Sequence, residues 1–432
     1  MQSYAMLVNV SATGNNNKFY ELTLVGDLVH ARWGRVGSDG QRKTYTGGVY
    51  EFARLVRQKQ GRGYTEIDVV TDGAPVKAVD DTRLKDAART GLTNGSTDPV
   101  VLALVDRLVA ANAHQIGAFT GGKITVVDGK VKTPLGLLTI ATVDRATVAL
   151  SELQSASGSD RTRLLENYLR LIPQDVGRTR GWDEHFLSTP DQFARQADFL
   201  DQLRASVQFA ASQADASADD TDTDTASSFR YRIEKVTDPK VIKRISAKYA
   251  KTASTKHSSR VTGAKVKAVY ALTDTSGADA YDKLAAALGN VQENWHGSRN
   301  ANILSILSTG FIQRGTLGTV QMAGSMFGGW NCVYSSSMST KAAQYAAGGV
   351  WSSGRDSTWF MFLVDVAMGN ECRPNRSGEY VWDDVLRGSV RDRNGNTFNS
   401  IHVRAGTCSV YNQEVIAPIP QVMPRYLIEF GS

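Results

Sequence analysis

The amino-acid sequence predicts a multidomain α+β protein with three folded parts: a small β-rich domain at residues 1–75, an all-α helical bundle at 90–210 and an antiparallel-sheet domain at 229–432. Three observations lead there. Short apolar stretches separated by turn residues open the chain, apolar residues at helical spacing fill its middle, and strand-like runs return in its last part. A tether of Ala, Ser, Asp and Thr at 211–228 holds no large apolar residue and separates the second part from the third. A length of 432 residues agrees with about three domains of ~150 residues each.

In the first part, Tyr4–Val10 reads as a strand and Gly14-Asn15-Asn16-Asn17 supplies turn chemistry. Phe19–Val25 and Leu28–Trp33 read as the next two strands, and Gly34, Gly37 and Gly40 break the chain after them. Tyr50–Lys59 sets Phe52, Leu55 and Val56 among basic residues, as an amphipathic helix does. In the middle part, Val100, Val101, Leu104, Val105, Leu108 and Val109 follow the helical period. Thr120–Lys130 reads as a hairpin insert. Helices are expected over Ile140–Leu153 and Arg161–Leu171, the second closed by Pro173, whose ring cannot continue a helix. Pro190-Asp191 opens a fourth, carrying Phe193, Phe199, Leu200 and Leu203. In the last part Phe229–Ile233, Val266–Leu272, Phe360–Val366 and Tyr426–Phe430 read as strands, and Asn300 begins a helix with Ile303, Leu304, Ile306 and Leu307.

Composition narrows the class. No apolar run approaches the ~18–20 residues of a membrane span. The start, Met1-Gln2-Ser3-Tyr4-Ala5, lacks a secretory layout. Cys332, Cys372 and Cys408 are too few and too scattered for a disulfide framework or a zinc site. An intracellular protein with free thiols, no membrane partner and no metal is expected. Net charge is +6, and it is unevenly spread. Arg32–Arg62 holds eight Lys/Arg against two acids, Phe229–Lys267 twelve against two, and Ala214–Thr225 five Asp and no base. Two basic faces around an acidic tether suit a polyanionic partner.

The run Asn294-Trp295-His296-Gly297-Ser298-Arg299 is the most informative, because a glycine after the histidine lets a ligand approach the backbone. Downstream stand Lys341-Ala342-Ala343-Gln344-Tyr345 and Tyr411-Asn412-Gln413-Glu414. The three segments in this order resemble the catalytic domain of the poly(ADP-ribose) polymerases, whose site is a His, a Tyr and a Glu from separated segments. The eleven-residue step from Tyr334 to Tyr345, with Lys341 four residues before Tyr345, has the family's spacing. Trp33-Gly34-Arg35, with Val36-Gly37, Gly40-Gln41 and the following helix, resembles a WGR domain. Thr133–Leu138 and Leu171–Gly177 resemble two strings of the family's helical regulatory domain.

The resemblance implies a DNA-break-stimulated transferase that moves ADP-ribose from NAD to proteins, as single units or polymer, and releases nicotinamide. Breaking the nicotinamide–ribose bond passes through an oxocarbenium-like state, so a site must hold NAD rigidly and place negative charge near the developing cation. By resemblance the catalytic residues are His296, Tyr345 and Glu414. His296 takes a ribose hydroxyl, the Gly297 backbone grips the nicotinamide amide, and Ser298 and Asn302 lie along the adenosine half. Tyr345 and Tyr334 flank the nicotinamide ring, with Lys341 beside them. Trp33 and Arg35 engage DNA ends or nicks, an indole offering a π-face and a guanidinium pairing with phosphate. The helical bundle acts as a brake, and protein acceptors include the chain itself, with the acidic tether a candidate tract. The resemblance places the chain in the nucleus if its source is a eukaryote and in the cytoplasm otherwise.

Two departures stand out. Ala342 occupies a place where the family often has a serine that donates to the nicotinamide amide, a loss of about 0.5–1.5 kcal/mol. Counting without gaps from Tyr411-Asn412, Gln413 stands in the place of the catalytic carboxylate, with Glu414 one residue late, and one step along a strand reverses the face. A slip or bulge, helped by Pro418 and Pro420, would bring Glu414 to the site. With Gln413 there instead, the chain reads as a weak or inactive DNA-end-binding scaffold. Gln313 and Arg314 sit in a loop that does not align, Gly328-Gly329 and Gly348-Gly349 are loop flexors, and His257 and His402 read as surface or packing residues.

Overall fold

A computed structural model describes residues 3–66, 81–120, 125–127, 130–133, 136–189, 192–193, 195–197, 199–200, 203–204, 207, 229–257, 259–311, 327, 331–346, 357–408 and 412–431. The tether at 211–228, the loop with Gln313 and Arg314, both glycine pairs and Tyr411 lie outside the described residues, as do Pro134, Leu135, Pro190 and Asp191. The chain divides into two compact units, Met1–Ala87 with Ala110–Ala226, and Ala88–Val109 with Ser227–Ser432.

In the first unit, β1 (Ser3–Ser11), β2 (Asn16–Val25), β3 (Leu28–Arg35) and β4 (Gln41–Thr46) precede α1 (Gly48–Gln60) and β5 (Thr65–Glu66). They form one sheet in the order β4-β3-β2-β1-β5, with antiparallel pairing throughout. Asn15 makes the β1–β2 turn at φ 48, a left-handed conformation that asparagine tolerates better than most residues. Leu7, Leu22, Leu24 and Val29 of the sheet bury against Leu55 of α1, as the alternating pattern requires.

The chain continues through α2 (Asp81–Thr93), α3 (Pro99–Thr120), β6 (Thr125–Val127), β7 (Lys130–Thr133), β8 (Gly136–Leu138), α4 (Ile140–Ser155), α5 (Gly158–Leu171) and α6 (Trp182–His185). The expected hairpin is the β6–β7 pair, which β8 extends to three strands. Thr139 caps α4 by accepting from the Thr142 amide at 3.2 Å. Tyr168 of α5 is fully buried, and its hydroxyl takes a bond from Gln196 Nε2 at 2.6 Å. Glu166 and Arg170 on α5 hold the end of β1, at the Ala12 amide (2.8 Å) and the Val10 carbonyl (3.3 Å).

The second unit carries β9 (Tyr231–Lys235), α7 (Pro239–Lys251), α8 (Ser259–Thr262), β10 (Lys265–Asp274), α9 (Ala278–Leu288), β11 (Val291–Gly297), α10 (Asn300–Thr309), β12 (Cys332–Ser335), α11 (Ser339–Ala346), β13 (Thr358–Ala367), β14 (Glu371–Cys372), α12 (Trp382–Leu386), β15 (Ser400–Val403), β16 (Glu414–Pro418) and β17 (Val422–Gly431). Two sheets result, β11-β13-β17-β10-β9 and β12-β16-β15-β14. All pairs are antiparallel except β14 with β15. The irregular stretch around Pro418 and Pro420 is a 3-10 turn at Ile419–Gln421. The first part of α3 packs with this unit. Arg107 makes a two-pronged ion pair with Glu429 of β17, 2.8 Å on each arm, and the Tyr270 hydroxyl donates to the same carboxylate at 3.1 Å.

β13 is an interior strand of the larger sheet, and Phe360–Val364 are buried on both of its faces, which is why they read as an unbroken apolar run rather than an alternating one. Trp295, Tyr249, Trp359 and Phe430 fill one side, with Trp359 and Phe430 stacked at 4.4 Å. Replacing the fully buried Leu363 by Ala is expected to lower unfolding free energy by about 2–5 kcal/mol, read from urea midpoints, because an interior strand cannot collapse around the void.

Candidate active site

Three elements of the second unit bring the predicted residues together. β11 pairs with β13, setting His296 opposite Phe362 and Gly297 opposite Met361. α11 lies across β11, and its small Ala342, Ala343 and Ala346 are buried beside Trp295 and Met361. A Cβ on Gly297 would collide with the Ala342 carbonyl oxygen, so the glycine here admits the helix backbone. Ala342 is thereby part of the contact between helix and strand.

His296 Nδ1 lies 2.8 Å from the Tyr334 carbonyl oxygen. A carbonyl only accepts, so Nδ1 carries a proton in this contact. Phe311 meets the imidazole edge-on at 4.8 Å. Beyond Gly297, Ser298 Oγ accepts from Asn302 Nδ2 at 3.4 Å, which orients both at the start of α10. Tyr334 comes from β12. Its hydroxyl accepts the Phe327 amide at 3.0 Å, and burial pushes the phenol well above its ordinary value.

The charged centre is an ion pair. Lys341 Nζ lies 2.7 Å from Glu414 Oε1, each side chain being 12% exposed, and the ammonium also donates to the Tyr345 hydroxyl at 3.0 Å. It sits 4.9 Å from the centre of the Tyr345 ring. Burial pushes the Glu414 carboxyl above the usual range, and Lys341 offsets this only in part. Burial acts on Lys341 in the opposite sense, but Glu414 and Tyr345 outweigh it and hold the ammonium above its ordinary value. The raised ammonium extends the pH range in which both are ionised at its upper end, while the raised carboxyl trims it at the lower end.

β16 begins at Glu414, and its pairing with β12 and β15 shows no shift. Gln413 therefore points away from Lys341. Its Oε1 accepts from the Ser337 amide and Ser337 hydroxyl, both at 2.7 Å, and its Nε2 lies 2.8 Å from His402 Nε2. His402 Nδ1 in turn lies 2.6 Å from Glu371 Oε2. On the other side, His257 Nε2 lies 3.1 Å from Asn412 Oδ1 and Nδ1 lies 2.7 Å from Thr340 Oγ1. Neither histidine was legible as a participant, since each enters through non-local pairing. Thr340, Ser336 and Ser337 lie inside the Tyr334–Tyr345 segment, where the spacing of the tyrosines drew attention away from them.

In the first unit, Trp33 stacks on Tyr20 at 5.6 Å and is partly buried. The Arg35 guanidinium donates to the carbonyls of Gly177 (2.7 Å) and Asn15 (3.0 Å). Arg42, Lys43, Arg57 and Arg62 of the same region are exposed.

With this geometry in view, the comparisons are informative. Residues 241–383 match the poly(ADP-ribose) polymerase catalytic domain, and residues 3–70 match the WGR domain. Over most of its length the chain is similar to members of the poly(ADP-ribose) polymerase family. It is 23% identical to rice poly [ADP-ribose] polymerase 2-B over 98% of this chain and 71% of that protein. Mouse protein mono-ADP-ribosyltransferase PARP3 is 24% identical over 86% of this chain and 73% of its own. Chicken poly [ADP-ribose] polymerase 1 is 24% identical, with 44% of its length spanned. The transferase thus takes NAD as its substrate and ADP-ribose as the group it moves. Among the described residues no group of three or more His, Cys, Asp or Glu is placed to hold a metal ion, and no helix is long and apolar enough to cross a membrane.

Two measurements check the geometry. Gly297→Ala is expected to destabilise the transferase by about 1–3 kcal/mol in urea unfolding, because the added methyl forces α11 off β11. Glu371 is the second test. Burial raises its carboxyl, but bonds from Arg373, Asn290 and His402 outweigh this and lower it from 4.5 to about 2. A lowered carboxyl contributes stability above its unfolded value and loses it as pH falls through the folded one. The stability gap between wild type and Glu371→Gln should therefore be full above pH 4.5 and vanish as pH falls toward about 2.

Proposed function

We propose that the protein is a DNA-break-stimulated ADP-ribosyltransferase whose catalytic residues are His296, Tyr345 and Glu414. The observation that carries the reading is Glu414 beside Lys341 and Tyr345, with Gln413 turned away. In the reaction the bond between nicotinamide and ribose C1′ breaks, and nicotinamide leaves with the electron pair. An acceptor oxygen forms the new bond at C1′ and gives up its proton. Glu414, ionised against Lys341, supplies negative charge to the developing cation and can take that proton. Its burial-raised carboxyl suits the second task.

The remaining roles follow the same geometry. His296, with Nδ1 bound to the Tyr334 carbonyl, would hydrogen-bond a ribose hydroxyl through Nε2. Tyr345 and Tyr334 would flank the nicotinamide ring, Lys341 would orient Glu414, and the Gly297 backbone would hold the carboxamide. Ser298 and Asn302 would lie along the adenosine half. Protein side chains would serve as acceptors, the tether at 211–228 among them.

Coupling to DNA is assigned to the domain at 1–75, and the brake to the helical part at 90–210. Arg35 supports this, because the guanidinium that would meet a phosphate already holds the Gly177 carbonyl of the segment after α5. A phosphate competing for it would loosen that segment from the sheet.

The test is release of nicotinamide and capture of labelled ADP-ribose, with and without a nicked duplex. Wild type should transfer label, and DNA should increase it. Glu414→Gln should lower turnover by about 10²–10³-fold, while Gln413→Ala, which leaves a carboxylate in the site, should lose less. DNA binding with silence in both channels would leave a scaffold.

A further inference from the structure

Gln413 has an unusually specific environment for a residue outside the reaction centre. The Ser337 backbone amide can only donate, so the side-chain atom 2.7 Å from it is the Gln413 carbonyl oxygen. That oxygen also takes the Ser337 hydroxyl at 2.7 Å, while Ser336 Oγ donates to the Gln413 main-chain carbonyl at 2.7 Å. The other end of the amide is then the NH2 group, and it faces His402 Nε2 at 2.8 Å. An NH2 group can only donate, so Nε2 is unprotonated and Nδ1 carries the proton. Nδ1–H donates to Glu371 Oε2 at 2.6 Å. Glu371 is fixed by Asn290 Nδ2 (2.7 Å), Gln292 Nε2 (2.9 Å) and Arg373 Nε (2.9 Å). Every proton between Arg373 and Ser337 has one place.

This chain of bonds separates an amide from a carboxylate. An unprotonated ring nitrogen accepts from an amide, whereas a carboxylate in the same place would call for a ring protonated on both nitrogens. Strand alternation links the choice to the reaction centre. His402 stands opposite Val415 on the neighbouring strand, and Val403 opposite Glu414. A slip of β16 by one residue would put Glu414 against His402 and Gln413 against Lys341. We propose that His402 is a positioning residue that seats the Gln413 amide and so fixes the strand register in which Glu414 faces Lys341. This rests on Glu414 being the catalytic carboxylate, and it gives Gln413 a use of its own in that arrangement.

Four full-length variants test it: His402→Leu, which removes the acceptor; His402→Gln, whose amide oxygen can replace it; Gln413→Leu; and Glu414→Gln. Turnover at saturating NAD, NAD affinity and thermal midpoint are read for each. His402→Leu and Gln413→Leu should lower turnover by about 10–100-fold, as misplacement of a reacting group does, with NAD affinity nearly unchanged. His402→Gln should recover most of the loss. Equal losses in His402→Leu and His402→Gln that track the thermal midpoint would make the histidine merely structural and overturn the proposal. Unchanged turnover in His402→Leu beside an inactive Glu414→Gln would overturn it while leaving Glu414 in place. Wild-type turnover in Glu414→Gln would instead remove the reading beneath it. A readout independent of activity is the ring itself. Long-range 1H–15N spectra of wild type should show His402 as the Nδ1–H tautomer, and an Nε2–H or doubly protonated ring overturns the proposal.

Discussion

A β-strand sends consecutive side chains to opposite faces, and at the start of β16 that rule sorts two residues that differ by one charge. Glu414 goes to Lys341 and Gln413 goes to His402. The ion pair, the place of Tyr345 beside it and the hydrogen-bonded amide behind it all follow from this one register. It is set by the neighbouring strands, β12 from far away in sequence on one side and the nearer β15 on the other.

Under the proposed function the Lys341–Glu414 pair serves the reaction, and it adds little stability. Taking two charges out of water costs several kcal/mol per ion, and a buried pair often does no more than offset that. Stability in this unit comes from the aromatic packing around Trp295, Trp359 and Phe430 and from β13 buried on both faces. The pair sits at the edge of that packing, where small side chains on α11 and a glycine on β11 let helix and strand meet closely. Both side chains of the pair are largely buried there. Under the proposed function, a carboxylate facing a short-lived cation gains from being held in place in this way.

Much of the fold was legible because its signals are local. The largely apolar stretch Phe360–Val366 became part of β13, the periodic residues from Val100 became α3, and the turn expected at Gly14–Asn17 lies two residues earlier, at Ala12–Asn15, between β1 and β2. What was not legible is non-local. Uniform helical spacing along α3 gives no hint that its residues up to Val109 pack with one unit and those from Ala110 with the other. Nothing in the run Tyr411–Glu414 says which side chain faces Lys341, because pairing with β12 and β15 decides it. For the same reason His257 and His402 read as packing residues, although each holds one of the two residues that precede Glu414. Arg35 shows the converse. Its motif was plain, but its bond to the Gly177 carbonyl joins residues more than a hundred positions apart.

The most direct measurement is a crystal structure of the protein with a non-hydrolysable NAD analogue. The account predicts that the Glu414 carboxylate lies within hydrogen-bond distance of the nicotinamide ribose while keeping Lys341, and that the Gln413 amide remains on His402. Gln413 at the ribose, with Glu414 turned toward Ser337 and His402, would contradict it.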